Sequence, residues 1–168
     1  MVSSTWHYVF SVDGTVAITI RVEVRESAPP LPRVGAALRL SQDPGQVSWF
    51  GRGPHENYPD RKHSAVFGQW TQSTPDMHTP YIFPSENGLR CDVSKARIGR
   101  ILIEGEFSLG VSQYSVKQLM SAQHEHELIP EDGLSIHIDG FHMGVGGDDS
   151  WSPSAKPRYL LTAATYCW

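Results

Sequence analysis

The sequence predicts an all-β protein, an antiparallel β-sandwich with long connecting loops. Three observations predict it: apolar residues recur with period two in several separate runs, helical periodicity is nearly absent, and 15 glycines and 12 prolines punctuate the 168 residues. In chain order, the run 6–12 and the series Val16, Ile18, Ile20, Val22, Val24 flank Asp13-Gly14. Successive strand side chains face opposite ways, so the series reads as a half-buried strand, and Gly14 accepts the positive φ of a tight hairpin. Ala28-Pro29-Pro30-Leu31-Pro32 is a stiff connector. Alternation returns at Val34, Ala36, Leu38, Leu40, then at Ile101, Ile103, Phe107, Leu109, Val111, where Gly105 marks a bulge. Leu134, Ile136, Ile138 follow, and a last run starts at Tyr159, Leu161, Ala163 and ends in Tyr166-Cys167-Trp168. Residues 115–126 suit one short helix or a strand.

The length fits one domain, 1–168, with a sizeable core. With 14 Lys+Arg against 18 Asp+Glu and a net charge of -4, the chain lacks the basic stripe that nucleic acid requires. No apolar run is long enough to span a bilayer, and no secretory leader follows Met1. Two cysteines, Cys91 and Cys167, cannot make a disulfide framework, which points to a reduced, cytoplasmic protein.

Two segments, 51–84 and 139–157, interrupt the alternation with Pro and Gly but keep their aromatics, the pattern of functional loops rather than disorder. Glycoside cleavage needs two carboxylates across a sugar. The neighbours Asp148-Asp149 and Glu131-Asp132 diverge on an extended chain, and Glu56 and Asp60 lie in a loop, so all read as surface or loop-fixing groups. His124 and His126 would share one face of a strand as half of a zinc site, although no further ligand is close in sequence. Nucleophile and phosphate-loop motifs are absent. Trp151, between Gly146-Gly147-Asp148-Asp149 and Ser152-Pro153, is either presented to a ligand by a turn or packed on the sandwich edge. Trp6, Trp49, Trp70 and Trp168 lie in or beside strand-like runs.

Three stretches are distinctive: Trp49-Phe50-Gly51-Arg52-Gly53-Pro54-His55-Glu56-Asn57-Tyr58-Pro59-Asp60-Arg61, Thr79-Pro80-Tyr81-Ile82-Phe83-Pro84-Ser85-Glu86-Asn87-Gly88-Leu89-Arg90-Cys91, and Ile138-Asp139-Gly140-Phe141-His142-Met143-Gly144-Val145-Gly146-Gly147-Asp148-Asp149-Ser150-Trp151-Ser152-Pro153-Ser154. In this order they resemble the C-terminal, small-chain domain of the glycoside hydrolase family 2 β-galactosidases, and the resemblance covers essentially the whole chain. It implies a galactose-mutarotase-like supersandwich, here a truncated version with residues 1–4 as leading residues. It also implies that the catalytic glutamates and the magnesium and sodium sites belong to other domains or a large subunit, with no catalytic or metal residue and no cofactor in this chain. Trp151 matches the family tryptophan that walls the sugar pocket, and His142, Asp148 and Asp149 then shape its loop. The expected role is that of an accessory domain in lactose-type galactoside hydrolysis. The alternative is a non-catalytic carbohydrate-binding or assembly module. Unpaired strand edges also raise self-association into a homo-oligomer.

Overall fold

The computed structural model describes residues 2–83, 85–149, 151 and 155–168. Among the described residues nine strands carry the fold: β1 (Val2–Phe10), β2 (Val16–Val24), β3 (Arg33–Leu40), β4 (Gln46–Gly53), β5 (Val66–Ser73), β6 (Arg90–Ile98), β7 (Ile101–Ser112), β8 (Leu134–His142) and β9 (Thr165–Cys167). The single α-helix among the described residues, α1 (Val116–Ser121), is one and a half turns long and starts at Ser115, whose side chain accepts the Gln118 N–H. Among the described residues no helix is long and apolar enough to cross a membrane.

All pairings are antiparallel. A three-stranded sheet has the order β1-β2-β9, and a six-stranded sheet the order β3-β8-β7-β6-β4-β5. The expected all-β class is therefore what the chain adopts. The first hairpin closes as expected, with Gly14 at φ +86° and the Asp13 carboxylate accepting the Thr15 N–H at 2.9 Å. Val2, Ser3 and Ser4 pair with Val24, Glu23 and Val22, so these leading residues are part of β1.

Alternation places Val47 and Trp49 of β4, Val93, Ala96 and Ile98 of β6, Phe107, Leu109 and Val111 of β7 and Leu134 and Ile136 of β8 in one core with Met77. A second cluster joins the sheets: Ile20 and Val22 of β2 and Tyr166 of β9 meet Val34 of β3, and Trp168 packs against both clusters. Trp49 is buried, while Trp70 and Trp168 are partly so, as their strand settings suggest.

Several expectations need correction. The segment 51–84 is not irregular throughout, because β4 runs to Gly53 and β5 lies inside it. The second segment begins late, since β8 continues to His142. The final run forms its strand only at Thr165–Cys167, because Pro157–Tyr159 takes a 3-10 turn and Leu161 makes a lone bridge to Leu31. The half-buried reading of β2 holds for Ile20 and Val22 but not for Val16 and Ile18, which are exposed. Directly across from them lie Phe10 and Tyr8, and Trp6 lies across from Ile20. The three rings stack along the strand with centroids 6.2 and 6.4 Å apart. They form an exposed apolar face, because cross-strand partners share one side of a sheet.

Candidate functional site

The loop after β4 is shaped by buried polar groups. Asn57, fully buried, accepts the Cys91 N–H on its side-chain oxygen (2.9 Å), donates to the His55 carbonyl (3.0 Å), and gives its own N–H to the Leu89 carbonyl (2.8 Å). These bonds replace sheet pairing where the chain leaves β4. Tyr58 and Arg61 then close a tight turn, with the Arg61 N–H on the Tyr58 carbonyl at 2.8 Å. Under it Tyr58, Leu89 and Cys91 form a small apolar floor against which Val145 packs.

Glu56 organises one wall. A single carboxylate oxygen accepts the Tyr81 hydroxyl (2.9 Å), the Gly88 N–H (2.9 Å) and, more weakly, the Tyr58 hydroxyl (3.3 Å). Burial first, then the Glu56 charge, pushes the Tyr58 phenol far above its ordinary range; burial does the same to Tyr81, so both stay protonated donors. Beside this wall opens a cavity of about 400 Å³ lined by Glu56, Tyr58, Arg61, Tyr81, Phe83, Val145, Gly146 and Gly147. All three distinctive stretches meet here, and Phe83 presents an 80% exposed ring at the cavity.

The glycine-rich stretch is held from the first loop. The Asp60 carboxylate accepts the N–H groups of Val145 (3.1 Å) and Gly146 (2.9 Å), while Arg61 donates to the Gly146 carbonyl through Nε (3.0 Å) and again through Nη2. A Cβ on Gly144 would stand 2.5 Å from Asp60 Oδ2, so a residue without one is needed there. Asp148 lies between Lys156 (2.9 Å) and Arg61 (3.8 Å); the Lys156 hydrogen bond and charge hold its carboxyl below the usual range. Asp149 accepts the Trp151 N–H at 2.8 Å. The Trp151 side is 91% exposed, so it is not packed on the sandwich edge.

Of the residues expected to shape the loop, Asp148 and Asp149 lie on the path to Trp151. His142 does not sit in the loop. It ends β8, buried, with its ring against Tyr58 at 5.8 Å and Nδ1 2.7 Å from the Met143 carbonyl. His142 Nε2 is 3.7 Å from Glu86, which also pairs with Arg33. Burial raises the Glu86 carboxyl, but the His142 ring and the Arg33 charge outweigh it and hold it below its ordinary value. Asp139, 2% exposed and 3.6 Å from Arg33, is pushed up to about 6 by burial, against the pull of Arg33.

The remaining sequence candidates do not assemble. His124 caps a 3-10 turn (Glu125–Glu127) and His126 lies within it, rather than the two lining one face of a strand, and their rings stack at 5.4 Å. Among the described residues no three His, Cys, Asp or Glu side chains gather as a set that could hold a metal ion. Glu131 pairs with Arg39 and accepts from Gln118 (2.8 Å), a surface role. Asp60 holds a loop, one of the two roles its sequence setting suggests, whereas Arg61, Tyr81 and Phe83 have no individual role in the sequence reading. Their sequence signal was membership of the distinctive stretches, which only the fold brings together. Ser150 and Ser152, which flank Trp151, and Pro153 and Ser154 lie outside the described residues.

The fold is thus an antiparallel all-β one in which the three distinctive stretches converge on one cavity. The chain belongs to the family described as Beta galactosidase small chain, which matches residues 1–168. It is 52% identical over 167 residues to a β-galactosidase of Yersinia enterocolitica, covering 97% of this chain. It is 49% identical to those of Klebsiella pneumoniae, over 162 residues, and Psychromonas ingrahamii, over 166. The chain spans 16% of the length of each of these relatives.

Proposed function

We propose that this chain is an accessory domain of a β-galactosidase that hydrolyses terminal β-D-galactosides such as lactose, and that Trp151 forms a wall of the sugar pocket. The observation that carries this reading is the exposure of Trp151, 91%, on a loop anchored beside the cavity. A sugar ring has a face of C–H groups that packs on an indole, and the surrounding polar loop can bond hydroxyls. Covering roughly half of so large a ring contributes about 2 kcal/mol, or roughly 30-fold in affinity. Two glutamates supplied by the rest of the enzyme carry retaining hydrolysis through a covalent galactosyl intermediate. The magnesium and sodium expected for the parent enzyme also lie in that remainder. Here Trp151 orients the sugar and excludes water.

In the full-length enzyme, Trp151→Ala is expected to raise KM for small galactosides by about 10- to 30-fold, with Trp151→Phe milder. Unchanged kinetics would remove Trp151 from the pocket. The exposed Trp6, Tyr8 and Phe10 face favours a second role in assembly, because apolar patches of this kind are normally covered by a partner. Calorimetric titration of the isolated chain with galactose separates the readings. Tight binding indicates a freestanding sugar module; no binding fits a pocket completed by the other domains. Two unpaired thiols suit a cytoplasmic setting.

A further inference from the structure

We infer that Asp60 and Arg61 are positioning residues that set the place of the Trp151 indole, an inference that rests on the sugar-facing role of Trp151. Gly146 and Gly147 both take left-handed backbone, at φ +70° and +75°. A glycine-rich stretch has more freedom to lose than any other, so it holds one shape only if something outside it supplies the order. The adjacent pair on the Tyr58–Arg61 turn supplies it. Asp60 takes two successive N–H groups, from Val145 and Gly146, and Arg61 takes the Gly146 carbonyl with two donors, so Gly146 is held at both its N–H and its C=O. Both residues are charged, and charge-assisted bonds are the stronger kind.

The grip continues outward. Arg61 and Lys156 flank Asp148, and Asp149 accepts the Trp151 N–H. A bonded path thus runs from the turn to the Trp151 backbone, from which the ring projects, across 85 and 86 positions of sequence at the Asp60 contacts. The turn is itself fixed by Asn57 on Leu89 and Cys91, so the anchor belongs to the β6 end of the sheet and not to the loop it holds. If the indole occupies its sugar-ready place in only a fraction of molecules, apparent affinity falls by that fraction. The role of the clamp is to keep that fraction near one. It touches no reacting atom.

The test is a double-mutant cycle in the full-length β-galactosidase that carries this segment. Asp60→Asn keeps size and replaces one acceptor oxygen by a donor; Arg61→Lys keeps charge and loses the fork. Each is expected to raise KM for small galactosides about 5- to 10-fold with kcat within about twofold. In a Trp151→Ala background each is expected to add less than about twofold, because the residue they act through is gone. Gly144→Ala, which presses on the Asp60 carboxylate from the loop side, should give the same pattern and guards against a single variant that folds poorly. Hydrogen exchange of the Val145 and Gly146 amides should speed up in Asp60→Asn. If Trp151→Ala raises KM but the clamp variants leave KM and exchange unchanged, the inference falls while the sugar-facing role stands. Equal losses in both backgrounds would also overturn it, since the pair would then act on something other than the indole. If Trp151→Ala itself leaves KM unchanged, the sugar-facing reading fails, and the clamp's role in binding with it.

Discussion

Asp139 shows how burial, acting against the pull of Arg33, gives a carboxylate a pH signature. An aspartate ordinarily titrates near 3.8, and here the group is pushed up to about 6. Between about pH 4 and 6 the folded protein keeps a proton that the unfolded chain has released. The contribution of Asp139 to stability is therefore full below pH 4 and is lost as pH rises through the window, by at most about 3 kcal/mol. Denaturant midpoints from pH 4 to 7 should show this decline, and Asp139→Asn should flatten it. An unchanged slope in that variant would assign the effect to another group. At this scale the turn-forming neighbours of Trp151 leave two settings open, a presented ring and a packed one, and the fold gives the exposed one. Which segment Asp60 fixes, and what Arg61 does, stay hidden for a different reason. A carboxylate and a guanidinium next to each other describe any charged turn until the glycine stretch they hold is folded over them.

At the scale of elements, β6 explains which strands could be read and which could not. Its buried side chains run Cys91, Val93, Ala96, Ile98, so the period-two phase slips between Val93 and Ala96. The slip lies where one residue of β6, Ser94, faces two of β7, Gly105 and Glu106. An earlier irregularity, between Arg90 and Val93, leaves Asp92 at φ +54°. A pattern reader sees two fragments where the ladder makes one strand. Gly105 was legible because glycine within an apolar alternation has few other meanings. β5 was hidden by having few buried positions of its own. The same element supplies a stability prediction. Arg90 is 1% exposed, donates to the carbonyls of Pro54, Met77 and Gly88 and to the Gln72 side chain, and lies 5.5 Å over Trp49. Arg90→Leu strands those acceptors without donors and is expected to cost about 3–5 kcal/mol in a denaturant melt. Arg90→Lys should recover only part of that loss, because an ammonium cannot reproduce the planar fork.

At the scale of the whole molecule, the two sheets are covered unevenly. Strands β4, β6, β7 and β8 wrap the main core, whereas every residue described in β1 is exposed. The outer edge of β1 has no strand partner among the described residues, and its aromatic face is uncovered. The isolated chain should therefore sediment with a concentration-dependent coefficient, and Tyr8→Lys with Phe10→Lys should suppress that dependence. An unchanged profile would place any self-contact elsewhere. Composition and alternation announced the sheets, but no local pattern could say which apolar faces would lie uncovered, since coverage depends on what else packs there.

The two cysteines differ in a way that bears on the cavity. Cys167 is exposed, whereas Cys91 is 2% exposed, donates to the Asn57 carbonyl at 3.2 Å, and has its thiol pushed up to about 12, chiefly by burial. Only a thiolate attacks an alkylating reagent, so the inner sulfur is shielded both by access and by protonation. Labelling the native protein should give one quick and one very slow reaction. Because Cys91 shares its packing with Tyr58, Leu89 and Val145, the slow rate measures how often the ground beneath the cavity gives way.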